Sequence, residues 1–251
     1  MDGGILVNLP VIDYGEAWAL QKRIVSAKIN ARFRDTFLIL EHSPVFTLGR
    51  MGNPENLLVD ENTLGEKGIG LYHVERGGDI TYHGPGQIIG YPILHFKKYG
   101  YRHRAYIYEL EEVLIRVLKD LGIVGMRHPE LRGVWVDDLK IGSVGVAVRK
   151  WVSFHGFSIN IDPDFDHLQL INPCGIGPDR MTSVRRLTGN APDSLVVRHA
   201  IACHFQNIFG LDLEEVSLKE LEFMIKGVHH FTIDGQEPEG KRLFREGSEV
   251  I

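Results

Sequence analysis

Three strand-like segments follow one another closely in this chain, Gly133 to Val136, Lys140 to Val148 and Trp151 to Ile161, with Asp137-Asp138 and Arg149-Lys150 in the short connections. Connections that short send a chain back beside itself, so an antiparallel meander is expected there. Ile107, Leu110, Val113, Leu114, Val117, Leu118 and Leu121 recur at helical spacing just before it, and Gly122 falls where a left-handed residue ends a helix. A second helix is expected from about Ser194 to Phe209, stopped by Gly210. At the start, apolar spacing from Tyr14 to Arg32 followed by Thr36-Phe37-Leu38-Ile39-Leu40 predicts helix, then strand, as the opening elements. Leu71 to Val74 and Gln87 to Phe96 add two strands. Helices among mixed, mostly antiparallel strands make the fold α+β, with one main domain over residues 1–212. Residues 213–251 are charge-rich, with a loop at Gly235 to Gly240, and are expected to form an appendage outside the core.

Composition closes off several functions. A net charge of −5 gives no basic footprint for nucleic acid, so an acidic partner would have to meet a local patch. Arg102, Arg104, Arg149, Lys150, Arg185 and Arg186 are candidates for it. No run approaches the roughly 18 apolar residues of a membrane span, and the N-terminus lacks a basic-then-apolar leader, so a soluble cytoplasmic protein is expected. Cys174 and Cys203 are the two cysteines, too few for a disulfide scaffold and in keeping with a reducing compartment.

Chemistry concentrates in Arg76-Gly77-Gly78-Asp79-Ile80-Thr81-Tyr82-His83-Gly84-Pro85-Gly86-Gln87. Glycines that admit a ligand close to the backbone stand there among hydrogen-bonding side chains, which marks a binding loop and not a core element. Its spacing fails the dinucleotide fingerprint, and it leads into a strand. Strand alternation sets Lys140 on a face with Val144, Val146 and Val148, and a dehydrated lysine becomes a proton acceptor near neutral pH. The alternative is that it reaches back to water. Cys174, between Pro173 and Gly175, belongs to a loop that can present its sulfur; Lys140, His83 and His155 are candidates to generate the thiolate. His155 fits core and site lining equally, whereas Cys203 inside the last helix reads as a small buried hydrophobe. Neither a phosphate loop nor a metal-ligand spacing is present, so no metal or cofactor is expected.

Together the Arg76 to Gln87 loop, Lys140-Ile141-Gly142-Ser143-Val144-Gly145, Ser153-Phe154-His155-Gly156 and Asn172-Pro173-Cys174-Gly175 resemble the lipoyl(octanoyl) transferases. The likeness runs from about Ile5 to Gly210 and includes Glu41 to Gly49. It implies the fold shared by biotin and lipoate protein ligases, and transfer of octanoyl from acyl carrier protein to a lysine of a lipoyl domain. The implied acceptors are the lipoyl domains of 2-oxoacid dehydrogenase complexes and the glycine cleavage H protein, with the enzyme a monomer. Cys174 would be the acyl-thioester nucleophile and Lys140 its partner. Arg76, Gly77, Gly78, Asp79, Ile80, Thr81, Tyr82 and His83 would bind substrate, with Ser143, Val144, Gly145, Gly156, Phe157 and Ser158. Backbone N–H groups near Gly175, or the His83 ring, are the options for an oxyanion donor. Two other readings are an ATP-dependent ligase of the same fold and a non-catalytic binder of lipoyl or carrier domains.

Overall fold

The computed structural model describes residues 3–100 and 102–229, apart from the side chains of Cys174, Val228 and His229. In chain order the strands are β1 (Gly3–Ile12), β2 (Thr36–His42), β3 (Val45–Leu48), β4 (Gly70–His73), β5 (Ile80–His83) and β6 (Gln87–Ile93), then β7 (Met126–Arg127), β8 (Val134–Val136), β9 (Leu139–Arg149), β10 (Val152–Asn160) and β11 (Asp212–Glu215). The α-helices are α1 (Tyr14–Ala31), α2 (Glu61–Glu66), α3 (His103–Asp120), α4 (Phe165–Leu168), α5 (Val184–Thr188), α6 (Ser194–Phe209) and α7 (Leu218–His229). Eight strands form one sheet in the order β11-β1-β2-β6-β10-β9-β8-β7, and β4-β3-β5 form a second. The pairs β11/β1 and β1/β2 are parallel; the rest of the large sheet is antiparallel. The α+β expectation and the meander hold.

Each face of the large sheet carries its own core. On one, Leu110, Val113, Leu114 and Val117 of α3 pack with Ile201 and Phe205 of α6 over Phe37, Phe157 and Ile159. The Phe37 and Phe205 rings stack 4.1 Å apart. On the other, Ala17, Leu20 and Ile24 of α1 meet Leu38, Leu40, Ile89 and Phe154. Because β2 and β6 are covered on both sides, they read as continuous apolar runs without alternation. A third cluster, with Phe46, Leu71, Ile80, Tyr82, Ile171 and Met181, lies beneath the small sheet.

Four expectations are corrected. The opening element is β1 and not a helix: Ile5, Leu6 and Val7 are all buried, so the strand shows no alternation, and Asn8 and Pro10 interrupt the apolar run. The glycine-rich segment is only partly loop, because Ile80–His83 pairs antiparallel with β3 through alternately buried Ile80 and Tyr82. The β9–β10 turn is made by Lys150 and Trp151, both at positive φ (47° and 71°), one residue later than expected. After Leu211 the chain does not leave the core: β11 pairs with β1, and α7 buries Leu221 and Ile225 against the α1 face. A boundary at 212 therefore cuts through a strand; Gly235 to Gly240 lie outside the described residues. No α-helix among the described residues is long and apolar enough to cross a membrane.

Candidate active site

Gly49 is the residue that lets the glycine-rich segment lie where it does. A Cβ there would stand 2.3 Å from the Gly78 carbonyl oxygen, so no other side chain fits. Around that close approach the Gly49 N–H donates to Asp79 O (3.2 Å), Arg50 N–H to Arg76 O (2.9 Å) and Met51 N–H to Gly78 O (3.2 Å). The Asp79 carboxylate accepts from Asn53 N–H at 2.9 Å and from the Asn56 side-chain amide. Arg76, 7% exposed, turns inward: its guanidinium donates to Thr47 O at 2.6 Å, to Thr47 Oγ1 at 2.8 and 3.1 Å, and to Gly77 O at 3.1 Å. Its role is to clamp the segment to β3, with hydrogen bonds to a charged group of the stronger kind. Across the cavity Gly77 N–H donates to Val146 O at 3.0 Å, docking the same segment on β9. Gly145 permits the contact, since a Cβ there would meet Gly77 O at 3.0 Å.

These contacts enclose a cavity of about 380 Å³ between the two sheets, in the range of small-molecule sites. Arg76 to Thr81 and His83 form one wall, and Lys140, Ser143 to Val146 and Gly156 to Ser158 form the facing one. Fourteen of the sixteen residues expected at the site therefore meet at one cavity. Tyr82 does not: it points away into the third core cluster, with Oη 3.1 Å from His167 Nδ1, because strand alternation turns it opposite to its neighbours. Cys174 sits in the 3₁₀ turn Pro173–Gly175, whose flanking Pro173 and Ile176 line the cavity and which packs against β5. The thiol itself is outside the described side chains.

Lys140 is 6% exposed, with Nζ 5.8 Å from the Trp135 ring centroid. Its carbonyl accepts from Thr182 N–H at 2.9 Å, and an isolated parallel bridge to Met181 ties β9 to the chain that follows the Cys174 turn. Val144 and Val146 line the same cavity, but so do Ser143 and Gly145 of the other parity. The β8–β9 register shifts between Gly142 and Lys140, so simple alternation does not set the face of Lys140, and Val148 is exposed.

Four ring side chains of the cavity region, Tyr14, His42, His83 and Tyr91, are buried together. The His42 ring must donate from Nδ1 to Ile12 O (3.0 Å), since a carbonyl only accepts; its Nε2 then takes the Tyr91 hydroxyl at 2.8 Å. Burial pushes the His42 pKa down to about 4. His83 stands with its ring centroid 5.8 Å from that of His42, parallel to Tyr14, and burial together with His42 pushes it down to about 3. Its Nδ1 lies 2.6 Å from Gln87 Oε1, so the ring is neutral with its proton on Nδ1. Nε2 carries a lone pair, which removes the His83 ring as an oxyanion donor. The N–H groups of Gly175 and Gly177 are engaged with Asn172 within the turn.

His155 lines the cavity but is 1% exposed and has φ of 55°. Its backbone N–H donates to Gln21 Oε1 at 2.7 Å, while Nε2 stays 3.5 Å from Glu75 Oε2 and neither ring nitrogen has a hydrogen-bond partner. It is both core and lining. Cys203 is half-buried on α6, not buried, with Sγ 3.4 Å from His199 Nε2. Tyr14, Tyr91, Ile107 and Trp135 also line the cavity and were missed, because an aromatic or aliphatic residue in an apolar pattern reads as core. Thr47 lies within the Glu41 to Gly49 motif. Its pairing with Arg76 carried no signal in the sequence.

Comparison with known proteins agrees with this arrangement. Residues 13–206 match the family described as the lipoyl protein ligase A/B catalytic domain. An octanoyltransferase of Syntrophobacter fumaroxidans is 42% identical over 88% of this chain and 96% of its own length. Another, of Caldicellulosiruptor saccharolyticus, is 39% identical over 87% and 94%. Among solved structures, lipoate-protein ligase A bound with ATP superposes with a TM-score of 0.74 at 18% identity, covering 91% of this chain and 94% of that one. A bipartite lipoate protein ligase from Thermoplasma acidophilum, studied with its lipoyl domain, gives 0.71 at 18% identity, covering 91% and 92%; both likenesses bear on the fold alone. With the matched region holding both walls of the cavity and the Cys174 turn, this chain belongs to the lipoyl protein ligase A/B catalytic-domain family, as an acyltransferase alongside the octanoyltransferases.

Proposed function

We propose that the enzyme moves an octanoyl group from octanoyl-acyl carrier protein to a lysine of a lipoyl domain through a thioester on Cys174, with Lys140 as proton acceptor. The observation that carries this is a buried lysine and a cysteine-bearing turn at the same cavity, tied together by the Lys140–Met181 bridge. A lysine amine screened from water is a usable base because the ammonium form loses its hydration. Lys140 takes the thiol proton, and the Cys174 thiolate attacks the octanoyl thioester. As the new C–S bond forms, the old one breaks, and the carrier's thiolate leaves with the proton from Lys140. The substrate lysine amine then attacks the acyl-enzyme, giving an amide and returning the Cys174 thiolate; Lys140 takes the proton released. Ile80, Ile107, Val144, Val146 and Phe157 give the cavity apolar walls. Burying the six methylenes of an octanoyl chain there is worth roughly 5 kcal/mol.

Both protein substrates are expected to be acidic. The exposed Arg102, Arg104, Arg149, Lys150, Arg185 and Arg186 suit them, although Arg185 already pairs with Asp162 at 2.8 Å and Arg186 lies over the Phe165 ring. The test is intact-protein mass spectrometry after incubation with octanoyl-acyl carrier protein in the absence of ATP. A hydroxylamine-sensitive octanoyl adduct on the native chain, lost in Cys174→Ser and slowed in Lys140→Ala, is the expected result. Absence of any adduct, with acylation of the lipoyl domain only when ATP and magnesium are supplied, would refute covalent transfer and favour the ligase chemistry.

A further inference from the structure

We propose that Nε2 of His83 accepts a hydrogen bond from the incoming substrate amine and orients it for attack on the acyl-enzyme. This rests on the acyl-transfer chemistry above. It is carried by a relay of hydrogen bonds whose direction is fixed at its far end. The Thr182 carbonyl can only accept, so the Asn160 atom facing it at 2.9 Å is the amide nitrogen. Asn160 therefore presents Oδ1 to Gln87, which must answer with Nε2, at 2.8 Å. Gln87 is left with Oε1 toward His83, and the 2.6 Å contact is a donation from Nδ1–H. Reversing Asn160 would set its oxygen against the Thr182 carbonyl, and reversing Gln87 would set its oxygen against Asn160 Oδ1; either leaves buried polar groups unpaired. A side-chain amide pair thus holds the imidazole in one tautomer.

The near end of the relay lies in the cavity. His83 is 8% exposed and lines it, and among the described residues no group donates to its Nε2. Thr182 is itself held by its N–H to the Lys140 carbonyl, so one chain of hydrogen bonds runs from the backbone of the proton acceptor to the His83 ring. His83 ends β5, the strand against which the Cys174 turn packs.

The chemistry selects the donor. In the acyl-enzyme the thiol proton has gone, and the hydrocarbon chain has no donor, so the amine is the group that brings N–H to the reacting carbon. It needs its lone pair aimed at that carbon. An acceptor on one N–H achieves this: as the C–N bond forms and the C–S bond breaks, one proton leaves for Lys140 and the hydrogen facing His83 stays on the amide nitrogen. An acceptor for this purpose must stay unprotonated. Burial opposes a positive charge on it first, and His42, the Arg76 guanidinium and His155 add to that.

The test begins with ¹⁵N NMR of the full chain labelled at histidine. The expected signature is an unprotonated Nε2 and a protonated Nδ1 on His83 from pH 5 to 8; the opposite tautomer would overturn the proposal. Rapid-quench kinetics then compare loading from octanoyl-acyl carrier protein with transfer from the loaded enzyme to a lipoyl domain. In His83→Phe, transfer should fall more than loading, by on the order of tenfold, the worth of one such hydrogen bond. Gln87→Glu keeps an acceptor at Nδ1 and adds a negative charge while giving up the donation to Asn160 Oδ1, so the transfer step, and not loading, should acquire an inflection near neutral pH with the rate falling on the acid side. Equal slowing of the two steps, or an unaltered profile in Gln87→Glu, would refute the role. A native protein that never loads would refute the acyl-transfer chemistry itself, an outcome distinct from a loaded enzyme whose transfer ignores His83.

Discussion

Two buried histidines should make this enzyme acid-sensitive well above the carboxylate range. His42 is pushed down to about 4 and His83 to about 3, whereas both titrate near 6.5 in an unfolded chain. Between those values the unfolded chain binds protons that the native state refuses, so stability is fully present above pH ~6.5 and is lost as pH falls toward the folded values. At pH 5 each ring lies about 1.5 units below its unfolded pKa, which at 1.36 kcal/mol per unit costs about 2 kcal/mol apiece, or about 4 kcal/mol for both. For a chain of this size that is a fall in melting temperature of roughly 8–16 °C. Urea denaturation at pH 7.5 and 5.0, in one buffer system, reads it directly. His42→Gln retains a donor for Ile12 O and an acceptor for Tyr91, and should remove its own share, about 2 kcal/mol, of the pH dependence; His155, buried and lowered as well, adds in the same direction. Equal stability at the two pH values, or an unchanged slope in His42→Gln, would show that these rings are not held neutral.

Three further outcomes follow from the packing of the site. Gly49→Ala, whose Cβ would stand 2.3 Å from the Gly78 carbonyl oxygen, should push that carbonyl away and lower kcat/KM for octanoyl transfer on the order of 100-fold, with the circular dichroism spectrum retained; wild-type kinetics would contradict the clamp. Arg76→Lys gives up the forked donation to Thr47 and leaves the buried charge under-paired, at about 2–4 kcal/mol by urea melt. Ending the chain at Leu211 removes β11 and α7 and uncovers residues such as Ile5 and Ile24 that share their core with Leu221 and Ile225. A loss of at least about 3 kcal/mol is expected, and an unchanged thermal melt would mean that this segment contributes nothing to the core.

What was legible in the sequence depended on whether an element is covered on one side or two. α3 shows a clean apolar stripe because its other face meets water, and Gly122 marks its end with φ of 75°. β1 was invisible for the opposite reason: buried on both faces and broken by Pro10, it offers no period. α7 was hidden within a charged stretch, since Leu221 and Ile225 are few among acidic and basic neighbours. At the site, the residue types that bring chemistry were legible one motif at a time. Tyr82 was misassigned because a motif is read as a block, whereas a strand sends alternate residues to opposite sides. The orientation of His83 was beyond reach, because it is decided at Thr182, about a hundred residues away in sequence.

The cavity lies along a seam. Ile107, Val144, Val146 and Phe157 on one side belong to the core under α3 and α6, while Ile80 and Met181 on the other belong to the core beneath the small sheet. On the proposed chemistry an octanoyl chain entering this space joins two hydrophobic cores that the resting protein keeps apart. The loaded enzyme is then the better-packed protein, and the intermediate is stored as part of the fold. Unloading must open a contact that loading has just made, so the same methylenes that secure the chain against water also set how readily the enzyme lets it go.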